Sequence, residues 1–279
     1  MSLTTTSKII KKYANNGMDL VVDFSGGRYS IVLLHLVLKV LKRAKAVYVD
    51  TTISLPECNE FVNEICNAWD VDLIILKRRD VDFWELVKRR GFPHRRFRWC
   101  MKEFKSVPLR LFNQSFDGEI LHLTGTSKYE SSFRKKVYDI RGYYHYNYSI
   151  NSFVLHPLLD WTEPMIYDYI QKFDLPINPC YEKYYSSGNC YYCPFVTSVL
   201  YYLTLANLQP KLFSKIVEAE KAMKKGGGAI YLGKGKVLHL SNAISKFASR
   251  NLPKKALLPP CEVKAMAKTL YTCQKKCLM

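Results

Sequence analysis

At 279 residues the chain can bury a substantial core, and a hydrophobic fraction of 48% excludes a largely disordered protein. No apolar run approaches the roughly 18–20 residues that a membrane span needs, and Met1 to Tyr13 is Ser/Thr/Lys-rich without the apolar centre of a secretory signal, so a cytoplasmic protein is expected. A net charge of +18 favours polyanionic partners, either nucleic acid or a substrate carrying several phosphates, against the plainer reading of a solvated basic surface.

In chain order, Asp19–Phe24 is a short β-branched apolar segment, followed by Ser25-Gly26-Gly27-Arg28-Tyr29-Ser30 and then by Ile31–Leu41, which is apolar with helical period. Strand, glycine turn and helix follow directly. Ala46–Asp50 is a second strand, Glu57–Trp69 a helix, Leu73–Leu76 a third strand and Glu119–Thr124 a fourth. Strands alternating with helices predict an α/β fold with a doubly wound, mostly parallel sheet, in which ligands bind beyond the carboxyl ends of the strands. Further helices are expected over Glu163–Phe173 and Pro210–Lys225. The glycine run after Lys225 is the linker candidate, dividing residues 1–225 from a small basic appendage at 226–279.

A glycine pair after a buried strand lets backbone amides and a helix N-terminus approach an anion closely. Ser25, Gly26, Gly27 and Ser30 are therefore candidate phosphate ligands, and Arg28 adds charge. The loop is not a Walker A motif, which is longer and ends in Gly-Lys-Ser/Thr. The nine cysteines, in a chain read as cytoplasmic, point to metal binding or catalysis rather than a disulfide framework. Cys190-x-x-Cys193 places two thiolates within reach of one metal, and Cys180 lies shortly before them. Cys58 and Cys66 share one face of a predicted helix and read as buried small hydrophobes, and His35 and His122 as core residues. The aromatic run Tyr143, Tyr144, Tyr146 and Tyr148 offers stacking surface or simply core.

SGGRYS resembles the PP-loop, SGG-x-D-S, of the adenine nucleotide alpha hydrolase superfamily, and five further segments resemble its phosphoadenylylsulfate (PAPS) reductase-like family in the same order. These are Asp50-Thr51-Thr52 with Leu55-Pro56-Glu57, then Arg98-Trp99-Cys100 with Lys102 or Lys105, then Gly125 to Arg134. His156 to Trp161 and Asn178 to Phe195 complete the series. The resemblance implies an adenine nucleotide held by Ser25, Gly26, Gly27, Arg28, Ser30, Asp50, Lys128 and Arg134. It also brings Cys100 beside the CxxC pair, so that Cys100, Cys180, Cys190 and Cys193 would hold a [4Fe–4S] cluster, with a tetrahedral zinc as the alternative. The chain departs from the family at Tyr29, where the loop has Asp, at Met101, where the reductases carry a second cysteine, and at its end, where their catalytic cysteine tail is missing.

The cysteine spacing is more similar to cluster-bearing sulfur-transfer proteins of DNA phosphorothioation than to the reductases. An iron–sulfur-dependent sulfur-transfer enzyme acting on nucleic acid, DNA or tRNA, with a sulfur-donor protein as partner, is the implied function. A sulfonucleotide reductase using Cys273 or Cys277 is the enzymatic alternative, and a non-catalytic nucleic-acid-binding subunit the alternative of another class.

Overall fold

The computed structural model describes residues 3–15, 17–185, 189–223, 228–233 and 236–240. Helix α1 (Leu3–Ala14) leads into β1 (Asp19–Asp23), α2 (Arg28–Leu41), β2 (Lys45–Asp50), α3 (Pro56–Ala68), β3 (Asp72–Lys77) and α4 (Phe83–Arg90). A short helix α5 (Trp99–Met101) passes through a π-helical turn, Lys102–Ser106, into α6 (Val107–Gln114). Then come β4 (Ile120–Thr124), a 3-10 turn at Lys128–Glu130, α7 (Ser132–Arg141), β5 (Tyr144–Asn147), β6 (Ser152–Leu155), α8 (Glu163–Lys172) and α9 (Cys180–Lys183). The chain forms two compact units, Met1–Val196 and Thr197–Met279. The expected boundary at 225/226 falls inside the second unit, on residues 224–227 that lie outside the described ones.

The sheet of the first unit has the order β3-β2-β1-β4-β6-β5. Five strands run parallel, and β5 closes the edge antiparallel to β6. β1 and β4 pair in register over Asp19↔Ile120 to Asp23↔Thr124, so the loops after both strands open at the same sheet end. The order changes direction at β1: β2 and β3 extend to one side, β4 and β6 to the other. Such a switch point leaves a crevice beyond the strand ends, because successive crossovers lead away from it on opposite sides.

α2 is buried along Ile31 to Leu34 and at Leu36 and Val37, with Leu121, Leu123 and Leu155 in the same core, as expected for a helix covering a parallel sheet. α1, which the polar residues of its sequence did not suggest, is held by Ile10 in that core and by Trp161, whose indole N–H donates to Thr6 Oγ1 at 2.9 Å. His122 is fully buried between Asp23 Oδ1 at 2.7 Å and Asn113 Oδ1 at 2.8 Å, and His35 Nδ1 lies 2.8 Å from the Tyr169 hydroxyl. His122 is a satisfied core residue, and His35 is half-buried with its hydrogen bond made. Among the described residues no helix is long and apolar enough to cross a membrane.

The second unit holds α10 (Val199–Leu208), α11 (Pro210–Ala222) and a hairpin of β7 (Ile230–Gly233) and β8 (Lys236–Leu238). The buried Glu220 carboxylate joins its parts by accepting from Ala229 N at 2.7 Å and Leu240 N at 3.0 Å. Cys261, Cys273 and Cys277 lie outside the described residues.

Candidate nucleotide and thiol site

The loop after β1 turns at Gly26, whose φ of +72° is strained for any residue with a Cβ; a Cβ there would also press on Val62 at 3.1 Å and Asn178 at 3.2 Å. Gly27 caps α2 without a side-chain hydrogen bond, so the first turn of that helix presents its amides at the crevice. Ser30 Oγ donates to Gly27 O at 2.9 Å and lies 3.3 Å from Ser25 Oγ. A Cβ on Gly27 would stand 3.4 Å from Ser25 Oγ and 3.5 Å from the Tyr181 hydroxyl. Three hydroxyls and a glycine backbone thus line one small cradle at a helix N-terminus, which suits an oxyanion.

Arg28 points elsewhere. Its guanidinium lies between the rings of Tyr167 and Tyr181, 4.7 Å from each centre, and ion-pairs with Glu163 at 3.4 Å. Its backbone N–H, at 3.2 Å, donates to the Tyr181 hydroxyl. Tyr29, at the position of the family's Asp, is partly buried, and burial above all pushes its hydroxyl up to about 12, so it is a neutral donor rather than an anion.

The remaining expected nucleotide ligands are engaged within the protein. Asp50 accepts from Thr52 N at 2.9 Å and ion-pairs with Lys77 at 2.6 Å. Lys128 ion-pairs with Asp160 at 2.8 Å and Asp139 at 3.3 Å, bonds that hold its ammonium above the usual lysine range. Arg134 pairs with Glu130. A phosphate reaching any of these cations must compete with a carboxylate already in place.

The antiparallel bridge Ser54↔Cys190, with Leu55 N donating to Asn189 O at 2.7 Å and Tyr191 N to Ile53 O at 2.9 Å, fixes the CxxC segment against the start of α3. Thr51 Oγ1 lies 3.1 Å from Cys190 Sγ. Burial first, then the neighbouring Cys190 and Cys193, push the Cys100 thiol up to about 11, while Lys105 opposes the shift. Burial likewise raises Cys190, against Lys105 and the Thr51 hydroxyl, with Cys193 and Cys58 adding to the rise.

The charges of Cys190 and Cys193 bear on Cys100, and that of Cys193 on Cys190. Cys180 makes a different contact: its Sγ lies 3.4 Å from Cys58 Sγ, both fully buried. Their mutual hydrogen bond is the largest influence on both thiols, lowering Cys58 and raising Cys180. In the side-chain positions of this structure, no three His, Cys, Asp or Glu groups among the described residues converge on one metal position. The donors nonetheless suit a soft metal or an iron–sulfur cluster in kind: half-buried thiols at Cys100, Cys190 and Cys193, two of them under the charge of Lys105, and buried thiols at Cys58 and Cys180.

The profile of the phosphoadenosine phosphosulfate reductase domain matches residues 19–195. The chain belongs to that family. It is 28% identical over 194 residues to an adenosine 5'-phosphosulfate reductase of Bacillus cereus, covering 69% of this chain and 79% of that one. It is 30% identical over 218 residues to an uncharacterized protein of Methanocaldococcus jannaschii, covering 76% of this chain but 51% of the relative, so it spans about half of that longer protein. Among solved structures it is similar to the PAPS reductase of Candida auris, with a TM-score of 0.52 at 18% identity over 66% of this chain and 88% of that one. It is also similar to the U34-tRNA thiolase NcsA of Methanococcus maripaludis, solved with its [4Fe-4S] cluster, with a TM-score of 0.50 at 13% identity over 85% of each chain. These likenesses confirm the α/β fold with its mostly parallel sheet.

Within this reductase-family fold, several site residues escaped the sequence reading. Asn178 Nδ2 donates to Gly26 O at 3.3 Å, and Asn189 Nδ2 donates to Ser25 O, so the asparagines that precede Cys180 and Cys190 both grip the Ser25–Ser30 loop. Tyr181 supplies a hydroxyl to the cradle, and Cys58 a thiol beside Cys180. Asn178 and Tyr181 were visible as parts of the NPCY motif, but their partners lie some 150 positions earlier in the chain.

Proposed function

We propose that the protein is an iron–sulfur-dependent sulfur-transfer enzyme that binds an adenine nucleotide on the Ser25–Ser30 loop and modifies nucleic acid. One observation carries the reading. Asn178 and Asn189 tie the cysteine segment to the carbonyls of Gly26 and Ser25, so the thiols and the phosphate cradle are two walls of one site.

In this reading Ser25, Gly26, Gly27 and Ser30 hold the phosphates, with the Tyr181 hydroxyl as an added donor. Lys128 and Arg134 move to the ligand only by releasing their carboxylates, which makes them orienting rather than primary contacts. Cys100, Cys190 and Cys193 supply three thiolates to the cluster, and the Cys58–Cys180 pair supplies the fourth. A cluster held there would supply a redox-active, sulfur-binding centre beside the nucleotide. Lys105 opposes the rise of the Cys100 and Cys190 thiols and so favours their deprotonation when a cluster binds, and Thr51 hydrogen-bonds Cys190. The reaction class requires a sulfur donor, a role that a partner protein would fill, and the net charge of +18 suits a nucleic-acid acceptor.

Sulfonucleotide reduction is the second reading, favoured by the Bacillus cereus relative and by Lys105, a cation able to hold a sulfate group against the thiols. Anaerobic purification with iron and acid-labile sulfide analysis, followed by calorimetry with ATP, AMP, adenylylsulfate and PAPS, tests the first reading. Zinc without iron removes the cluster, and no binding of any nucleotide removes the enzymatic reading. Thiol-dependent sulfite release from PAPS without nucleic-acid affinity selects the second.

A further inference from the structure

The segment leading into Cys100 is a two-residue hairpin turn. His94 N donates to Phe97 O at 3.2 Å and Phe97 N to His94 O at 2.9 Å, leaving Arg95 and Arg96 at the tip. The turn is braced on the thiol segment: the Tyr192 hydroxyl donates to Pro93 O at 3.2 Å and Arg95 Nη2 to Phe195 O at 3.4 Å. Trp99, buried, donates its indole N–H to Gly91 O at 3.1 Å and fixes the base of the turn.

Two aromatic rings stand open on this braced frame. Phe97 is 51% exposed and Phe195 52% exposed. The guanidinium groups of Arg95 and Arg98 lie 5.7 and 5.6 Å from the centre of the Phe195 ring. Arg95, Arg96 and Arg98 are exposed and form no ion pair with any carboxylate among the described residues. Several other basic residues are answered: Arg78 and Arg90 by Glu103, Lys128 by Asp160, Arg134 by Glu130. Three uncompensated arginines and two exposed rings thus sit together, next in sequence to Cys100 and Cys193.

From this we infer that Arg95, Arg96, Phe97, Arg98 and Phe195 form a docking patch for a single-stranded nucleic-acid segment at the edge of the thiol site. The inference rests on the nucleic-acid reading proposed above and names where that acceptor is held. Bases stack on the two rings, and the arginines take the flanking phosphates. A duplex fits less well, because its base faces are already stacked and cannot reach protruding rings. An acidic peptide would use the arginines and leave the rings idle.

The test is fluorescence anisotropy across a salt series with a labelled 15-nucleotide single strand, RNA and DNA, beside the matching duplex and with polyglutamate as competitor. The single strands should bind more tightly than the duplex. Phe97→Ala and Phe195→Ala should each lower single-strand affinity about 5-fold or more and leave the salt slope unchanged. Arg96→Gln, at the exposed tip and outside the contacts that brace the turn, should lower affinity and flatten the log–log salt slope by about 0.7 for each phosphate no longer neutralised, and Arg95→Gln, which also gives up the Phe195 O brace, should add to that loss.

Wild-type affinity unchanged in all of these variants overturns the patch. Duplex binding equal to single-strand binding and insensitive to the phenylalanine changes also overturns it, as does equal competition by polyglutamate. If wild-type protein that retains iron and binds ATP shows no affinity for any nucleic acid, the patch and the nucleic-acid half of the proposed function fall together. If it binds nucleic acid and the patch variants bind equally well, the patch alone falls.

Discussion

Cys58 Sγ stands 3.4 Å from Cys180 Sγ, linking the first turn of α3 to the first residue of α9. Asn178 joins the pair from the loop side: its Oδ1 accepts from Cys180 N at 2.9 Å, and its amide donates to both Cys58 Sγ at 3.5 Å and Gly26 O. A fifth thiol therefore stands beside the four expected ligands, and it is the member of the pair that influences Cys190. This redundancy has a measurable consequence. Cys100→Ala, Cys190→Ala and Cys193→Ala should each abolish bound iron. Cys180→Ala alone should retain part of it, because Cys58 can turn into the vacated position. The Cys58→Ala/Cys180→Ala double variant should lose as much as Cys190→Ala. Complete loss from Cys180→Ala alone would make Cys180 an irreplaceable ligand and Cys58 mere packing.

The two loop glycines separate folding from binding. Gly27 has φ −83° and ordinary contact distances around a built Cβ, so Gly27→Ala should leave thermal stability nearly unchanged. The added methyl nevertheless occupies the space between Ser25, Ser30 and Tyr181, and nucleotide affinity should fall about 10-fold or more. Gly26→Ala, at φ +72° and 3.1 Å from Val62, should instead cost ~1–2 kcal/mol of stability before any ligand is added. Urea unfolding and calorimetry on the same two proteins check both halves. Equal destabilisation by the two changes would contradict the separation.

Gly125 makes a third case, because its neighbour is main chain. A Cβ there would come within 2.8 Å of the Tyr29 carbonyl carbon and oxygen and 2.9 Å of Ser30 N. Backbone cannot rotate aside, so Gly125→Ala must push the start of α2 away from the end of β4. The expected cost is ~1–3 kcal/mol, with weakened nucleotide binding, since the cradle sits on the displaced turn. Unchanged stability would mean that the close approach of these two loops does not hold the cradle.

How far the chain could be read in advance follows from the range of each signal. β1, the glycine turn and α2 were legible because β-branched alternation, Gly26-Gly27 and the apolar period of Ile31–Leu41 are adjacent in sequence. β5 and β6 were not, because Tyr144 and Tyr146 read as stacking surface or core rather than as a strand until Val154 and Leu155 are seen beside them. α1 was hidden by its polar residues, since only Thr6 and Ile10 are buried and their partners are distant. At the site, local motifs found the loop and the CxxC pair, but the pairing of Cys58 with Cys180 joins positions 122 residues apart. The same limit applies to Lys128, whose partner Asp160 is distant in sequence, whereas Glu130, one helical turn before Arg134, was near enough to be read.

His156 offers a test of the fold that is independent of any ligand. It follows β6, 3% exposed, with Nδ1 2.5 Å from Thr124 Oγ1. Thr124 donates its own proton to Thr126 Oγ1 at 3.0 Å, so it accepts from Nδ1–H, and the buried Nε2 is left without a hydrogen-bond partner. A second proton on the ring would have no acceptor and would face His145, Arg134 and Arg141. Burial first, then those cations, hold the imidazole down to about 3 from the usual 6.5. Between these values the unfolded chain binds the proton and the folded one does not. Stability is therefore fully present above pH 6.5 and falls as pH drops through 6.5 toward 3. From pH 7.5 to pH 5.5 this one group should remove about 1.4 kcal/mol, corresponding to roughly one unit below the unfolded value. Urea unfolding of wild type and His156→Gln at both pH values measures it. The variant should be the flatter of the two by about that amount, with His145 and His35, both also held low by burial, contributing to the slope that remains. Equal pH dependence in the two proteins would mean that the folded state finds an acceptor for Nε2–H, by water or by movement of the β6 end.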